Sequence, residues 1–140
     1  MAVITITRND VRDALYAEST NAARTMMRQD GVSLTNDFVI DEQADQSLNG
    51  AWLEAGSKLS EKLHEFTTTQ EVGEDNIRFD FIASQVQDGV YINIKQYVVD
   101  YMMADWLASV RPEYRQRYID RANFELDDLL RKLYKREEPI

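Results

Sequence analysis

The chain has no cysteine, one histidine, two prolines and five glycines. Without cysteine there are no disulfides, no thiolate nucleophile and no thiolate metal site. This fits a reducing compartment. The one histidine, His64, would need carboxylates alone around it to hold a metal. Its place beside Leu63 on a helical pattern favours a solvated or hydrogen-bonded side chain. The chain also lacks any phosphate-binding glycine loop, dinucleotide-binding glycine turn, paired-histidine zinc motif or serine elbow. No segment approaches the roughly 20 apolar residues that span a bilayer, and MAVITITRND does not read as a signal peptide. The acid pairs Glu61/Glu65 and Asp127/Asp128 sit among Lys and Arg, where surface partnership is the simpler reading than acid–base catalysis. The chain therefore reads as a non-enzyme, with no catalytic, cofactor-binding or metal-binding residue assigned.

What is present is a folded composition: 140 residues, 44% hydrophobic and 29% charged, matching one domain over 1–140. The formal net charge of −9 argues against a general phosphate binder. It is unevenly spread. From Arg111 onward there are 8 bases and 7 acids, against 8 bases and 18 acids before it. Two different surfaces and simple solubility both fit that asymmetry.

Periodicity predicts a mainly α fold with a small β element. Ala2 to Thr7 alternates and is β-branched, giving a short N-terminal strand or an extended arm. Thr7 and Asp10 form a capping signal. A helix over about 8–28 follows, with Val11, Leu15, Ala22 and Met26 on its apolar face beside Ala14, Ala23 and Met27. Glu18 and Ser19 interrupt that stripe. Gly31 is its expected C-cap, Phe38 to Ile40 a short strand, and Asp41 an N-cap.

The helix expected over about 42–66 has the cleanest pattern: Ala44, Leu48, Trp52, Ala55, Leu59, Leu63 and Phe66. Gly50 and Gly56 lie inside it, either tolerated or admitting a close backbone. A β-hairpin over about 67–83 turns at Gly73 to Asn76, with Ile77, Phe79 and Phe81 on one face. A lone hairpin is marginal, so it must pack on the helices, pair with the N-terminal strand or pair with another chain.

Two further helices are expected over about 90–110 and 112–136, parted at Arg111-Pro112. In the last, Tyr118, Ala122, Leu126, Leu129 and Leu133 form one stripe, widened by Ile119 and Leu130. Tyr97, Tyr101 and Trp106 are assigned to the core. Phe124 and Tyr134 fall off the stripe and are interface candidates. Arg131, Lys132, Lys135 and Arg136 read two ways: as favourable charge at a helix C-terminus, or as a docking surface for an acidic partner. Pro139 stops the helix, leaving an exposed tail over 137–140.

The closing pair, "IKQYVVDYMMADWL…PEYRQRYIDRANFELDDLLRKLY", resembles the head–tail connector (adaptor or neck) proteins of tailed bacteriophages. In that family a helix with apolar positions like Val98, Tyr101, Met102 and Leu107 is followed by a polar break. A helix of the "RY…A…LDDLLR" type then closes the domain. The hairpin and N-terminal strand depart from a purely helical connector. The resemblance implies a four-helix connector-like bundle and a structural virion protein. Its partners would be itself, as a ring of twelve, the portal protein and the next neck or tail protein. DNA would pass through the lumen without sequence-specific binding. Localisation would be the virion neck, after assembly in the host cytoplasm. The C-terminal helix or tail would meet the portal, which makes Phe124, Arg131, Lys132, Tyr134, Lys135, Arg136 and Ile140 the candidate partner-binding residues. The other function class open to this sequence is a small acidic interaction or inhibitor module that binds one basic protein.

Overall fold

The computed structural model describes residues 2–30, 39–40 and 42–137, with the side chains of 25–30, 42–43 and 135–137 excepted. Gly31, Phe38, Asp41, the side chains of Met26 and Met27, and tail residues 138–140 lie outside what is described. The described residues form five α-helices and one three-stranded antiparallel sheet: β1 (Val3–Thr7), α1 (Arg8–Asp30), α2 (Glu42–Ser47), α3 (Asn49–Lys62), β2 (Thr67–Val72), β3 (Asn76–Phe81), α4 (Asp88–Val110) and α5 (Arg115–Glu137). Single 3-10 turns at His64–Phe66 and Pro112–Tyr114 precede β2 and α5.

β3 is the central strand. Ile4 faces Phe79 and Ile6 faces Ile77 across β1, while Gln70 faces Phe79 across β2. The hairpin thus finds its third strand at the N-terminus of the same chain. A bulge at Thr67/Thr69 offsets β2. The alternation seen in the sequence buries Ile4, Ile6, Ile77, Phe79 and Phe81 on one face and leaves Thr5 and Arg78 outside. The hairpin turn is three residues, Gly73 to Asp75, one shorter than expected. Trp52 Nε1 donates to Gly73 O at 2.8 Å, which fixes that tip to α3.

α4 is the central helix. Buried residues occur all round its middle, including Val98, Val99, Met102, Met103 and Leu107. A helix apolar on every side has to be enclosed, and α1, α3 and α5 all pack on it. α5 buries Tyr118, Ala122, Leu129 and Leu133, with Leu126, Ile119 and Leu130 half-buried along the flanks.

Three expectations need correction. The helix over 42–66 is broken at Leu48. There Leu48 N–H donates to Asp45 O, three residues back, and Arg8 Nη2 donates to the same carbonyl at 2.8 Å. A shared carbonyl tightens the turn and α3 restarts at Asn49. The same expected helix ends at Lys62, so that His64 and Phe66 lie on a 3-10 turn. Ser19, read as an interruption, continues the α1 stripe of Val11, Leu15 and Ala23 and is fully buried. Its hydroxyl accepts Ile40 N–H at 2.9 Å and donates to Tyr16 O. With its amide taken by Ser19, Ile40 joins no strand, and neither does Val39.

The Thr7 cap stands as expected: Thr7 Oγ1 accepts Asp10 N–H at 3.2 Å. The two helix glycines differ. A Cβ on Gly50 would meet nothing within 4 Å. One on Gly56 would lie 2.7 Å from Val72 Cγ1 and 2.9 Å from Ile77 Cδ1. At Gly56, α3 packs directly against the sheet side chains Val72 and Ile77.

Candidate functional site

The outward stripe of α5 carries Arg117, Asp120, Phe124, Asp127 and Arg131 at helical spacing, all exposed. Phe124 is 65% exposed. Arg131 lies one face-repeat beyond it and 3.9 Å from Asp128, a loose pair on the surface. These two candidates share one face.

Tyr134 is turned away from them. It is half exposed, but its ring meets Phe66 edge-on at 5.0 Å and its hydroxyl donates to Glu65 Oε1 at 2.5 Å. It ties α5 to the 3-10 turn before β2. Lys132 also has internal duties. Its ammonium donates to Asn93 Oδ1 at 2.7 Å and lies 3.0 Å from Asp128 Oδ2. The backbone of Lys135 and Arg136 continues α5, and Ile140 lies outside the described residues.

Between α4 and α5 runs a polar seam centred on buried Asn93. Its Nδ2 donates to Glu125 Oε2 at 2.6 Å and to Asp128 Oδ2 at 3.1 Å, while Oδ1 receives Lys132. Both amide protons and the amide oxygen of Asn93 are thereby engaged across the two helices. The hydrogen bonds from Lys132 and Asn93 hold the Asp128 carboxyl below its usual range. Gly89 leaves room for the seam, since a Cβ there would sit 2.5 Å from Lys132 Nζ. Ile92 adjoins Asn93 in the chain and is 63% exposed; Phe124 adjoins Glu125. Ile92 and Phe124 are the two most exposed large hydrophobics among the described residues.

Further along the pair, α1 lies over a second polar junction. Asp100 is fully buried. Its Oδ1 accepts from Gln96 Nε2 at 3.0 Å and lies 3.6 Å from Arg121 Nη2, while Oδ2 has no hydrogen-bond partner. Arg121 Nη1 donates to Glu18 Oε1 at 2.8 Å, and Tyr118 donates to the same oxygen at 3.0 Å. Burial pushes the Asp100 carboxyl up to about 6, against the pull of Arg121 and Gln96. Burial and the adjacent Glu18 carboxylate also raise the Tyr118 phenol, which keeps it a donor.

Other concave places occur among the described residues. A groove of about 340 Å³ between α3, α4 and α5 has Tyr97, Tyr101, Ala104, Ile119 and Ala122 in its walls, with Glu54, Lys58, Asp105 and Arg115 of mixed sign around it. Tyr101 donates to Glu54, and Lys58 Nζ lies 5.5 Å from the Tyr101 ring centre. A smaller pocket lies beside Arg8, whose guanidinium stacks 5.5 Å from Trp52 and pairs with Asp45 at 2.8 Å. Burial raises the Asp45 carboxyl despite that pairing. His64 is exposed. Among the described residues no group of three or more His, Asp or Glu is placed to hold a metal ion, and no helix is long and apolar enough to cross a membrane.

No family model, curated protein or solved structure matches the chain. Any functional reading therefore rests on the residue pattern and the geometry above.

Sequence reasoning isolated Phe124 and missed Ile92, Asn93 and Asp100. The signal for Asp100 was present: one carboxylate inside the otherwise apolar run Val98 to Leu107, apart from exposed Asp105. Ile92 carried none, because Tyr91, Ile92 and Ile94 look alike until α5 decides which faces inward.

Proposed function

We propose that this chain is a structural subunit of a tailed-phage neck, a head–tail connector that closes into a ring, joins portal to tail and extends the DNA channel. The observation that carries this reading is the exposed pair of large hydrophobics, Ile92 on α4 and Phe124 on α5. The core and the Asn93 seam are complete without it, so two large side chains remain exposed where the fold gains nothing by exposing them. Exposed aromatic and aliphatic anchors beside satisfied polar groups are the makings of an interface centre. The sheet is consistent with a ring, because β1 and β2 both lie at its edges and differ in sequence. A closed ring requires two unlike patches per subunit. The net charge of −9 suits a channel that lets DNA pass, since phosphate affinity needs cationic contacts. In this reading the ring has twelve copies, the Phe124/Arg131 face of α5 meets the portal, the next neck or tail protein binds the far side, and no catalysis is involved.

Sedimentation of the chain with the portal ring of the same virus tests this. The expected result is co-sedimentation of many copies per portal. Phe124→Ser should weaken it by about thirtyfold or more, with an unchanged melting temperature. No association, equal binding by Phe124→Ser, or one-to-one capture of a small basic protein instead would overturn the reading.

A further inference from the structure

The junction beneath α1 places one guanidinium among three carboxylates. Glu18 faces it from α1, and Arg121, Glu125 and the Tyr118 phenol face it from α5. On α4 itself Gln96 is the neutral neighbour of Asp100. From α3, Glu54 and Lys58 reach α4 at Tyr101, away from this junction. Arg121 cannot serve Asp100 and Glu18 equally: it is at hydrogen-bond distance from Glu18, 2.8 Å, and at 3.6 Å from Asp100. Asp100 Oδ2 meanwhile is buried with nothing to bond. A buried carboxylate oxygen without a donor is costly when charged and tolerable when it carries a proton.

We propose that Asp100 is a proton-controlled latch on α1: protonated, it leaves Arg121 to hold Glu18, and ionised, it draws Arg121 inward and lets α1 lift from the α4–α5 pair. The proton comes from and returns to solvent, and no other bond changes. α1 is suited to being the moving element. Among its described side chains the buried apolar ones are Val11, Leu15 and Ala23, and buried Ser19 sits between them. Tyr118 would lose its acceptor together with Arg121, so that release of Glu18 breaks two hydrogen bonds at once. The latch does not depend on the ring: it concerns what the fold does when the medium changes from mildly acidic to mildly basic.

Hydrogen exchange of the full chain at pH 5 and pH 8, corrected for the intrinsic rate, reads the latch directly. Amides between Val11 and Ala23 should lose on the order of tenfold in protection relative to α4 amides at the higher pH. Asp100→Asn should keep α1 protected at both pH values. Glu18→Gln should leave α1 weakly protected at both, which keeps a readout if Asp100→Asn does not fold. His64→Gln, on the exposed 3-10 turn, should retain the step. Equal α1 protection at pH 5 and 8 in the unaltered chain overturns the latch. So does a step that survives in Asp100→Asn or Glu18→Gln, or one that vanishes in His64→Gln.

Discussion

An ionised Asp100 would hold its charge at a fully buried position, with one oxygen unbonded and the nearest cation 3.6 Å away. Its folded-state value of about 6 lies above the ordinary 3.8. The folded chain binds the proton more tightly than the unfolded one, so this group favours folding most below about pH 4. That advantage is lost as the pH rises through 6. Above pH 6 the difference amounts to about 3 kcal/mol. Asp100→Asn removes the charge but also a partner of Gln96 and Arg121. It should therefore raise stability by about 1–3 kcal/mol at pH 7.5, and the gain should shrink toward zero near pH 4. Urea melts at several pH values check this; a gain that does not fall with pH would count against a charged Asp100 as the source of the cost.

At the scale of elements, the apolar stripes of α3 and α5 were legible because their steps of three and four run uninterrupted through Trp52, Ala55 and Leu59 and through Tyr118, Ala122 and Leu129. The strands were legible from Ile77, Phe79 and Phe81. Three features were not. The break at Leu48 depends on Arg8, some forty residues away, taking the Asp45 carbonyl. The burial of Ser19 depends on the Ile40 amide. No local pattern reports either bond. The third was the meaning of the glycines in α3, where sequence left two readings open and the structure assigns one to each. Gly56 lies against Val72 and Ile77, so Gly56→Ala should destabilise by about 1–3 kcal/mol through overpacking. Gly50 faces open space, and Gly50→Ala should stabilise by about 0.5–1 kcal/mol through helix propensity. Thermal or urea melts of the two variants should move in opposite directions; movement in the same direction would contradict the close packing of α3 on the sheet.

For the whole molecule, α4 is the axis. It is enclosed by α1, α3 and α5, and the sheet packs against α3 at Gly56. That enclosure completes the core and, among the described residues, leaves Ile92 on α4 and Phe124 on α5 exposed, with β1 and β2 as the sheet's edge strands. The candidate site was half legible. Phe124 declared itself by falling off a clean stripe, and Arg131 lies on its face. Lys132 and Tyr134 came from the same reasoning, yet each is engaged by neighbours that only the tertiary fold supplies. On the proposal that this exposed surface serves ring assembly, electron microscopy of the chain mixed with a tailed-phage portal protein is the most direct test. The expected result is a closed, rotationally symmetric ring around an open channel, with Phe124 and Ile92 buried at a subunit or portal contact. A bound chain that forms no ring, or a ring with both side chains facing solvent, would contradict it.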